Sequence, residues 1–103
     1  MNQDWESTLI IVAELTIKAD HRNEFLAYAE ENLSICRSAD GNVTFDILID
    51  EARANTVVFY EVWKSKAAQQ SYMTWRNQRG DFNTLMSYLA NEPKFTELRR
   101  LAT

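Results

Sequence analysis

Residues 56–65 read Thr-Val-Val-Phe-Tyr-Glu-Val-Trp-Lys-Ser. Most of this stretch is β-branched, apolar or aromatic, which predicts a strand that ends at the tryptophan. Both faces of the strand are apolar, because Val57 and Phe59 point to one side and Val58 points to the other. Ser65 can cap a helix that begins directly after it. The fold must therefore bury this strand on both faces and place a helix at its end.

The remaining elements follow from periodicity, because two glycines and one proline leave few turn signals. In chain order we predict a strand at 8–17, a helix capped by Asp20 and ending near 37–38, strands at 42–50 and 56–63, a helix at 66–75, a helical stretch from 82 to 89 and a last strand at 94–101. This β-α-β-β-α(α)-β order is typical of the ferredoxin-like α+β fold, in which helices cover one face of an antiparallel sheet.

The length of 103 residues allows a single domain, 1–103, with a core at about 8–100. The first and third strands are apolar on both faces, whereas one chain has only enough helix to cover one of them. The loops are short, so a second copy is the simplest cover, and we expect a homodimer whose interface includes Val12 or Val58. A space enclosed between two such sheets would suit a flat organic molecule.

Charge and motifs exclude several classes of function. The chain has 11 basic and 15 acidic side chains, a net charge of −4, so we expect no nucleic-acid partner. One cysteine, Cys36, and one histidine, His21, cannot form the usual transition-metal site, and Cys36 fits an inert core position. The sequence has no phosphate loop or dinucleotide fingerprint, so no flavin or nicotinamide is expected. Without a basic leader or a membrane-length apolar run, a cytoplasmic protein with no membrane partner is predicted.

Three segments resemble the antibiotic biosynthesis monooxygenase family of dimeric α+β barrel proteins. They are residues 11–15 leading through 18–20 into a helix, residues 41–46 at the start of the second strand, and residues 59–68, an aromatic-Glu-x-Trp-x-Ser strand end that passes into a helix. The Gly-Asn-x-x-Phe-Asp segment is most similar to the branch that includes the autoinducer-2 phosphate-processing proteins. The resemblance implies a homodimer with one pocket per subunit, beside the sheet.

The resemblance also implies a choice of chemistries, because the family includes cofactor-independent quinol or anthrone monooxygenases, an isomerase of a phosphorylated autoinducer and haem-degrading proteins. Many members carry a histidine nine residues beyond the strand-end tryptophan, where this chain has Tyr72. The haem-degrading subgroup has an asparagine where this chain has Ala13, so we expect no haem. A phenol with a pKa near 10 is a poor base at neutral pH, but it can donate a hydrogen bond to an oxyanion. We therefore assign Tyr72 as the catalytic residue, acting as a donor, although a core aromatic on the Ala68-Tyr72-Trp75 face of the helix explains it equally well.

Three aromatic residues are candidates for the pocket wall. Trp63 matches a tryptophan that lies near substrate in monooxygenase relatives, although a ring wedged between the strand end and the helix explains it equally well. Phe45 and Phe59 line either the pocket or the core, and the sequence does not separate the two.

Four polar residues are further candidates. Asn42 either contacts a ligand or supports the turn after Gly41, and the turn is the more common role. Glu61 has apolar neighbours, so burial would raise its pKa, although an ion pair across strands or subunits is the favoured interpretation. Arg76 and Arg79 either gate the pocket, bind an anionic group there or lie in a solvated loop, which is the more common case. We carry Arg79 forward as a ligand-binding candidate.

These features predict a cofactor-independent, monooxygenase-like enzyme for a small aromatic or quinol-type molecule. With no cofactor, the ionised substrate itself would supply electrons to oxygen. Two alternatives remain open, a non-catalytic small-molecule-binding or sensing dimer and an isomerase of a small phosphorylated signal molecule. The missing histidine leaves catalysis itself undecided.

Overall fold

Four strands and three α-helices make up the computed structural model, which describes residues 8–101. In chain order they are β1 (Leu9–Thr16), a 3₁₀ turn (Ala19–His21), α1 (Arg22–Ser38), β2 (Asn42–Ile49), β3 (Thr56–Trp63), α2 (Lys66–Gln78), α3 (Asp81–Ser87) and β4 (Lys94–Arg99). The strands pair antiparallel in the order β2-β3-β1-β4. This arrangement confirms the predicted ferredoxin-like α+β fold.

The covered face of the sheet carries the core. The register between β1 and β3 pairs Leu15 with Val57 and Ile11 with Glu61, so these side chains share one face. Leu15 and Val57 are each 1% exposed and pack with Phe25 of α1 in one buried cluster. A second cluster contains Ile11, Cys36, Phe45, Trp63 and Tyr72. Both clusters join the sheet to the helices.

The opposite face of the sheet, called here the open face, keeps apolar side chains in contact with solvent. Val12 and Val58 lie on it and are partly exposed, as the alternation of each strand requires. Leu48 pairs with Val58, and Leu98 on β4 pairs with Ile10, so both belong to the same face. Leu48 is 49% exposed and Leu98 46%. The prediction that the helices cover one face only is confirmed.

Of the two predicted helix caps, Ser65 is confirmed and Asp20 is not. Ser65 accepts a hydrogen bond from the backbone N–H of Ala68 at 3.1 Å, and it caps α2 as expected. The assignment of Asp20 as the cap of α1 is wrong. Asp20 lies in a 3₁₀ turn that the His21 N–H closes on the Lys18 carbonyl, and α1 begins after this turn without a side-chain cap.

Gly41 sets how closely α2 approaches the turn before β2. Its φ is +84°, a conformation that only glycine adopts readily. A Cβ atom at this position would lie 2.5 Å from the Cβ of Ala68. The Gly41 carbonyl also accepts a hydrogen bond from the Lys64 N–H at 2.8 Å. This contact fixes the start of α2, and hence the position of Tyr72 over the sheet.

Candidate functional site

A cavity of about 70 Å³ lies between the helices and the covered face of the sheet. Six aromatic rings line it: Tyr28, Phe45, Phe59, Tyr72, Phe82 and Phe95. The expected ligand space between two sheets requires a second copy and stays a prediction, whereas this cavity lies on the helix side of a single sheet. The helices cover the sheet without filling the space beneath them, so the cavity belongs to a single chain.

Glu61 supplies a carboxyl group to the cavity wall although its residue is only 6% exposed. Its Oε1 accepts a hydrogen bond from the Trp63 indole N–H at 2.9 Å. Within residues 8–101 no salt bridge includes Glu61, so the favoured cross-strand ion pair is absent from this part of the chain. Burial raises the pKa of Glu61 to about 7, and the Trp63 hydrogen bond opposes this rise. Glu61 can therefore both accept and return a proton at neutral pH, which suits a general base.

Tyr72 joins a buried chain of polar groups at the same cavity. Its hydroxyl donates to the Cys36 Sγ at 3.2 Å and accepts from the Arg76 Nε–H at 3.0 Å. Burial raises the pKa of Tyr72 far above its ordinary value, because a buried phenolate would be poorly solvated. The phenol stays neutral and can act only as a donor or an acceptor. Burial also raises the pKa of Cys36, which lies in the cavity wall and not in a purely apolar core.

Arg76 brings a buried positive charge to the cavity, with only 8% of the residue exposed. Its Nη1 donates to the Asp81 Oδ2 at 2.8 Å and to the Asn32 Oδ1 at 3.2 Å. Asp81 therefore offsets the charge of the guanidinium. The interpretation of Arg76 as part of a solvated loop is wrong, because α2 continues to Gln78 and the helical repeat places Arg76 one turn after Tyr72.

The structure brings four of the predicted site residues together at the cavity: Phe45, Phe59, Glu61 and Tyr72. Trp63 is fully buried behind the wall, with its ring centroid 4.9 Å from that of Tyr72. Asn42 donates to the Thr44 carbonyl at 3.1 Å, next to the irregularity in β2, and does not line the cavity. Arg79 also lies outside, where it stacks over Trp75 at 4.8 Å and pairs with a carboxylate.

Sequence reasoning missed several polar residues of the cavity. Tyr28, Asn32 and Cys36 occur at intervals of four residues on α1, so they share one face of that helix. The apolar stripe of α1 obscured this second, polar periodicity. Asp81 starts α3 directly after a left-handed glycine, and no spacing in the sequence connects it with Arg76.

In residues 8–101 no group of three histidine, cysteine, aspartate or glutamate side chains could hold a metal ion. None of the helices in that range is both long and apolar enough to cross a membrane.

The sequence profile of the antibiotic biosynthesis monooxygenase family matches residues 8–79. The Bacillus subtilis (strain 168) protein named "Putative monooxygenase YcnE" is 30% identical over 74 residues, covering 72% of this chain and 74% of its own length. "Uncharacterized protein sll1783" of Synechocystis sp. is 27% identical over 63 residues, which is 61% of this chain but only 43% of that relative.

A crystal structure shares the fold. The conserved protein from Methanosarcina mazei Go1 superimposes with a TM-score of 0.86 at 14% identity, covering 94% of this chain and 96% of that one. The predicted likeness to the autoinducer-2 phosphate-processing branch is not confirmed by these matches. The profile match, the YcnE relative and the shared fold agree with one another, and the chain belongs to the antibiotic biosynthesis monooxygenase family.

Proposed function

We propose that this protein binds a small, neutral, quinol-type aromatic molecule in the cavity and that Glu61 deprotonates it, so that the resulting anion reacts with dioxygen without a cofactor. The observation that carries the proposal is a buried carboxyl group, with a pKa of about 7, in a cavity lined by aromatic rings. The family and the name of the YcnE relative support the same class of reaction.

The acidity of Glu61 matters for the size of the barrier. A phenolic hydroxyl has a pKa near 10, about three units above that of Glu61. Transfer of its proton to Glu61 therefore costs a free energy of about 4 kcal/mol. An ordinary glutamate, with a pKa near 4.3, would face about 8 kcal/mol. Burial therefore removes about half of the cost of forming the anion. Tyr72 would redirect its hydroxyl from Cys36 to the substrate oxygen and stabilise the negative charge there.

The reaction is balanced with the quinol and dioxygen alone, because the quinol supplies all the electrons and no other reductant is needed. One oxygen atom forms a bond to a ring carbon of the quinol, and the other leaves as water with two of the quinol's hydrogens. The quinol is oxidised to a hydroxyquinone while dioxygen is fully reduced. Glu61 takes the hydroxyl proton in the first step and returns it when water leaves.

The charges of the cavity favour a neutral substrate. Arg76 is the one cationic side chain among the described residues that line it, and Asp81 already offsets its charge. A phosphate group would need further donors and would lie near the carboxyl groups of Glu61 and Asp81. This arrangement weighs against a phosphorylated signal molecule as the substrate.

The open face supports the proposal of a homodimer. Val12, Val58, Leu48 and Leu98 form an apolar surface that no described helix covers. A second copy that presents the same face would bury both surfaces. The cavity lies on the other side of the sheet, so each subunit of the dimer would hold its own site.

Oxygen uptake and thermal stabilisation with one panel of quinols test the proposed reaction. We expect uptake of one dioxygen per quinol, and a loss of at least 100-fold in turnover for Glu61→Gln, as is typical when a general base is removed. Glu51→Gln, in the exposed loop after β2, is the control and should keep the wild-type rate. Stabilisation by quinols without oxygen uptake would contradict catalysis and leave a binding protein; no stabilisation and no uptake would contradict the ligand class.

A further inference from the structure

We infer that Trp63 is a positioning residue: its indole N–H holds one carboxyl oxygen of Glu61 so that the other faces the cavity. The inference rests on the proposed role of Glu61 as the base. Trp63 itself does not line the cavity, so its effect on a bound molecule would be transmitted through Glu61.

The packing around Trp63 directs its indole N–H toward the carboxyl group of Glu61. Trp63 and Glu61 are two residues apart on β3, so both side chains point to the covered face. The Trp63 residue is 0% exposed, and its ring packs against that of Tyr72 at an interplanar angle of 37°. A ring enclosed in this way cannot change rotamer without disrupting the second buried cluster. The hydrogen bond of 2.9 Å to Oε1 is therefore built into the core.

The second oxygen of Glu61 is left available to a ligand. Oε2 makes no hydrogen bond within residues 8–101, yet no fully buried side-chain oxygen or nitrogen in that range lacks a partner. No described donor therefore holds Oε2. Since Glu61 lines the cavity, Oε2 is the atom at which a ligand would meet the carboxylate.

The titratable and charged groups near Glu61 come from several elements. Tyr28 and Cys36 of α1, Tyr72 and Arg76 of α2 and Asp81 of α3 surround the cavity. Glu97 of β4 lies on the same face two strands away, where it is paired with Lys66 at 3.4 Å. Among the described residues, the indole N–H is the only hydrogen-bond donor that reaches the carboxyl group of Glu61. Its removal would leave the carboxylate without a donor, which favours the protonated acid.

Trp63→Phe tests the inference because phenylalanine keeps an aromatic ring beside Tyr72 and removes the donor. In the ligand-free variant we expect the titration of the Glu61 carboxyl carbon, followed by ¹³C NMR, to shift upward by about one pH unit. The pH profile of quinol-dependent oxygen uptake should shift by the same amount. Trp75→Phe is the matched control, because Trp75 is 43% exposed, does not line the cavity and is not the donor to Glu61, and it should shift neither titration nor profile.

A measurement on the wild-type protein covers the case in which Trp63→Phe fails to fold. The indole N–H resonance of Trp63 should move with the same pH midpoint as the Glu61 carboxyl, and that of Trp75 should not. An unchanged Glu61 titration in Trp63→Phe, or an indole signal of Trp63 that does not follow Glu61, would overturn the inference. A shifted titration in a protein that oxidises no quinol would support the positioning role and contradict the proposed reaction.

Discussion

At the scale of single residues, two carboxyl groups of this chain respond in opposite ways to their surroundings. Asp50 accepts hydrogen bonds from the Ala52 N–H and the Arg53 Nε, both at 2.8 Å, and these bonds lower its pKa. Glu61 is buried and accepts one, so its pKa is raised. The number of donors and the access to water decide which protonation state each site favours.

Glu61 should make the stability of the protein depend on pH. Its pKa rises from 4.5 in the unfolded chain to about 7 in the fold, so the native state binds the proton more tightly. Its contribution to stability is greatest below pH 4.5 and is lost as the pH rises through 7, a change of about 3 kcal/mol. Urea denaturation across this range should show a decline in the free energy of unfolding that Glu61→Gln flattens. An equal slope in both proteins would contradict the raised pKa, and Glu51→Gln controls for the change in net charge.

Tyr72→Phe should weaken ligand binding, and the loss of the acceptor for the buried Arg76 Nε–H should also destabilise the fold. The substitution removes only the hydroxyl, so a substrate oxygen loses a donor at a cost of about 1–3 kcal/mol, which lowers affinity by about one to two decades. Calorimetry with a quinol that stabilises the wild-type protein measures this loss. Tyr88→Phe, which is partly buried against the first cluster and outside the cavity lining, should leave affinity unchanged. If Tyr72→Phe binds as well as the wild type, the Tyr72 hydroxyl does not contact the ligand.

The sequence identified some cavity residues because strand periodicity is regular. Phe45 and Phe59 follow from alternation alone once the covered face is known. Arg76 and Arg79 could not be separated, because the predicted helix ended at residue 75, before both of them. In the structure α2 continues for three residues beyond residue 75, to Gln78. This extension places Arg76 on the inner face of the helix and leaves Arg79 outside. Helix ends are the least certain part of any pattern, so charged residues near them are the hardest to place.

At the scale of secondary-structure elements, Gly41 and Gly80 form a natural comparison. Both have a positive φ, +84° and +82°, but a Cβ at Gly80 would meet nothing within 4 Å, whereas one at Gly41 would collide with Ala68. The first glycine therefore serves backbone conformation and packing, and the second serves conformation alone.

Gly41→Ala should destabilise the protein by about 2–4 kcal/mol, because the backbone cost adds to an overpacked contact. Gly80→Ala should cost only the backbone part, about 1–2 kcal/mol. Thermal or urea unfolding measures both. Adding Ala68→Gly to Gly41→Ala removes the collision and should restore part of the loss. Equal costs for the two glycine substitutions would show that α2 can move away from the turn.

The elements themselves were predictable because their order and periods agree with one fold. Ser65 is followed at once by the helix it caps, so local sequence suffices there. Asp20 lies within a 3₁₀ turn, and the backbone hydrogen bond of this turn takes the place of a side-chain cap. No local pattern distinguishes these two starts.

At the scale of the whole molecule, the open face predicts the assembly. Val12→Glu places a charge in the middle of this surface and should convert a dimer, with twice the 12.0 kDa of one chain, into monomers or aggregates. Met86→Glu, on α3 and 42% exposed, adds the same charge on the helix side and should leave the dimer intact. Sedimentation equilibrium distinguishes the outcomes. A well-folded monomer of the native chain would contradict the proposed dimer.

The side of the sheet on which the cavity lies could not be predicted from the sequence. Apolar strands show that both faces need cover, but the space under the helices depends on how α1, α2 and α3 rest on strand side chains such as Phe45 and Phe59. This spacing results from packing across the whole chain, and no period in the sequence encodes it.

Every strand and every α-helix contributes side chains to the cavity. Ala13 comes from the central strand β1, and Phe95 comes from the edge strand β4. A directed-evolution campaign for new substrates would consequently lack a dispensable loop to vary, since each specificity change would also alter the core. Libraries built on this scaffold should begin from a thermostabilised parent, because substitutions that alter selectivity will also destabilise the core and only a more stable parent remains folded with them.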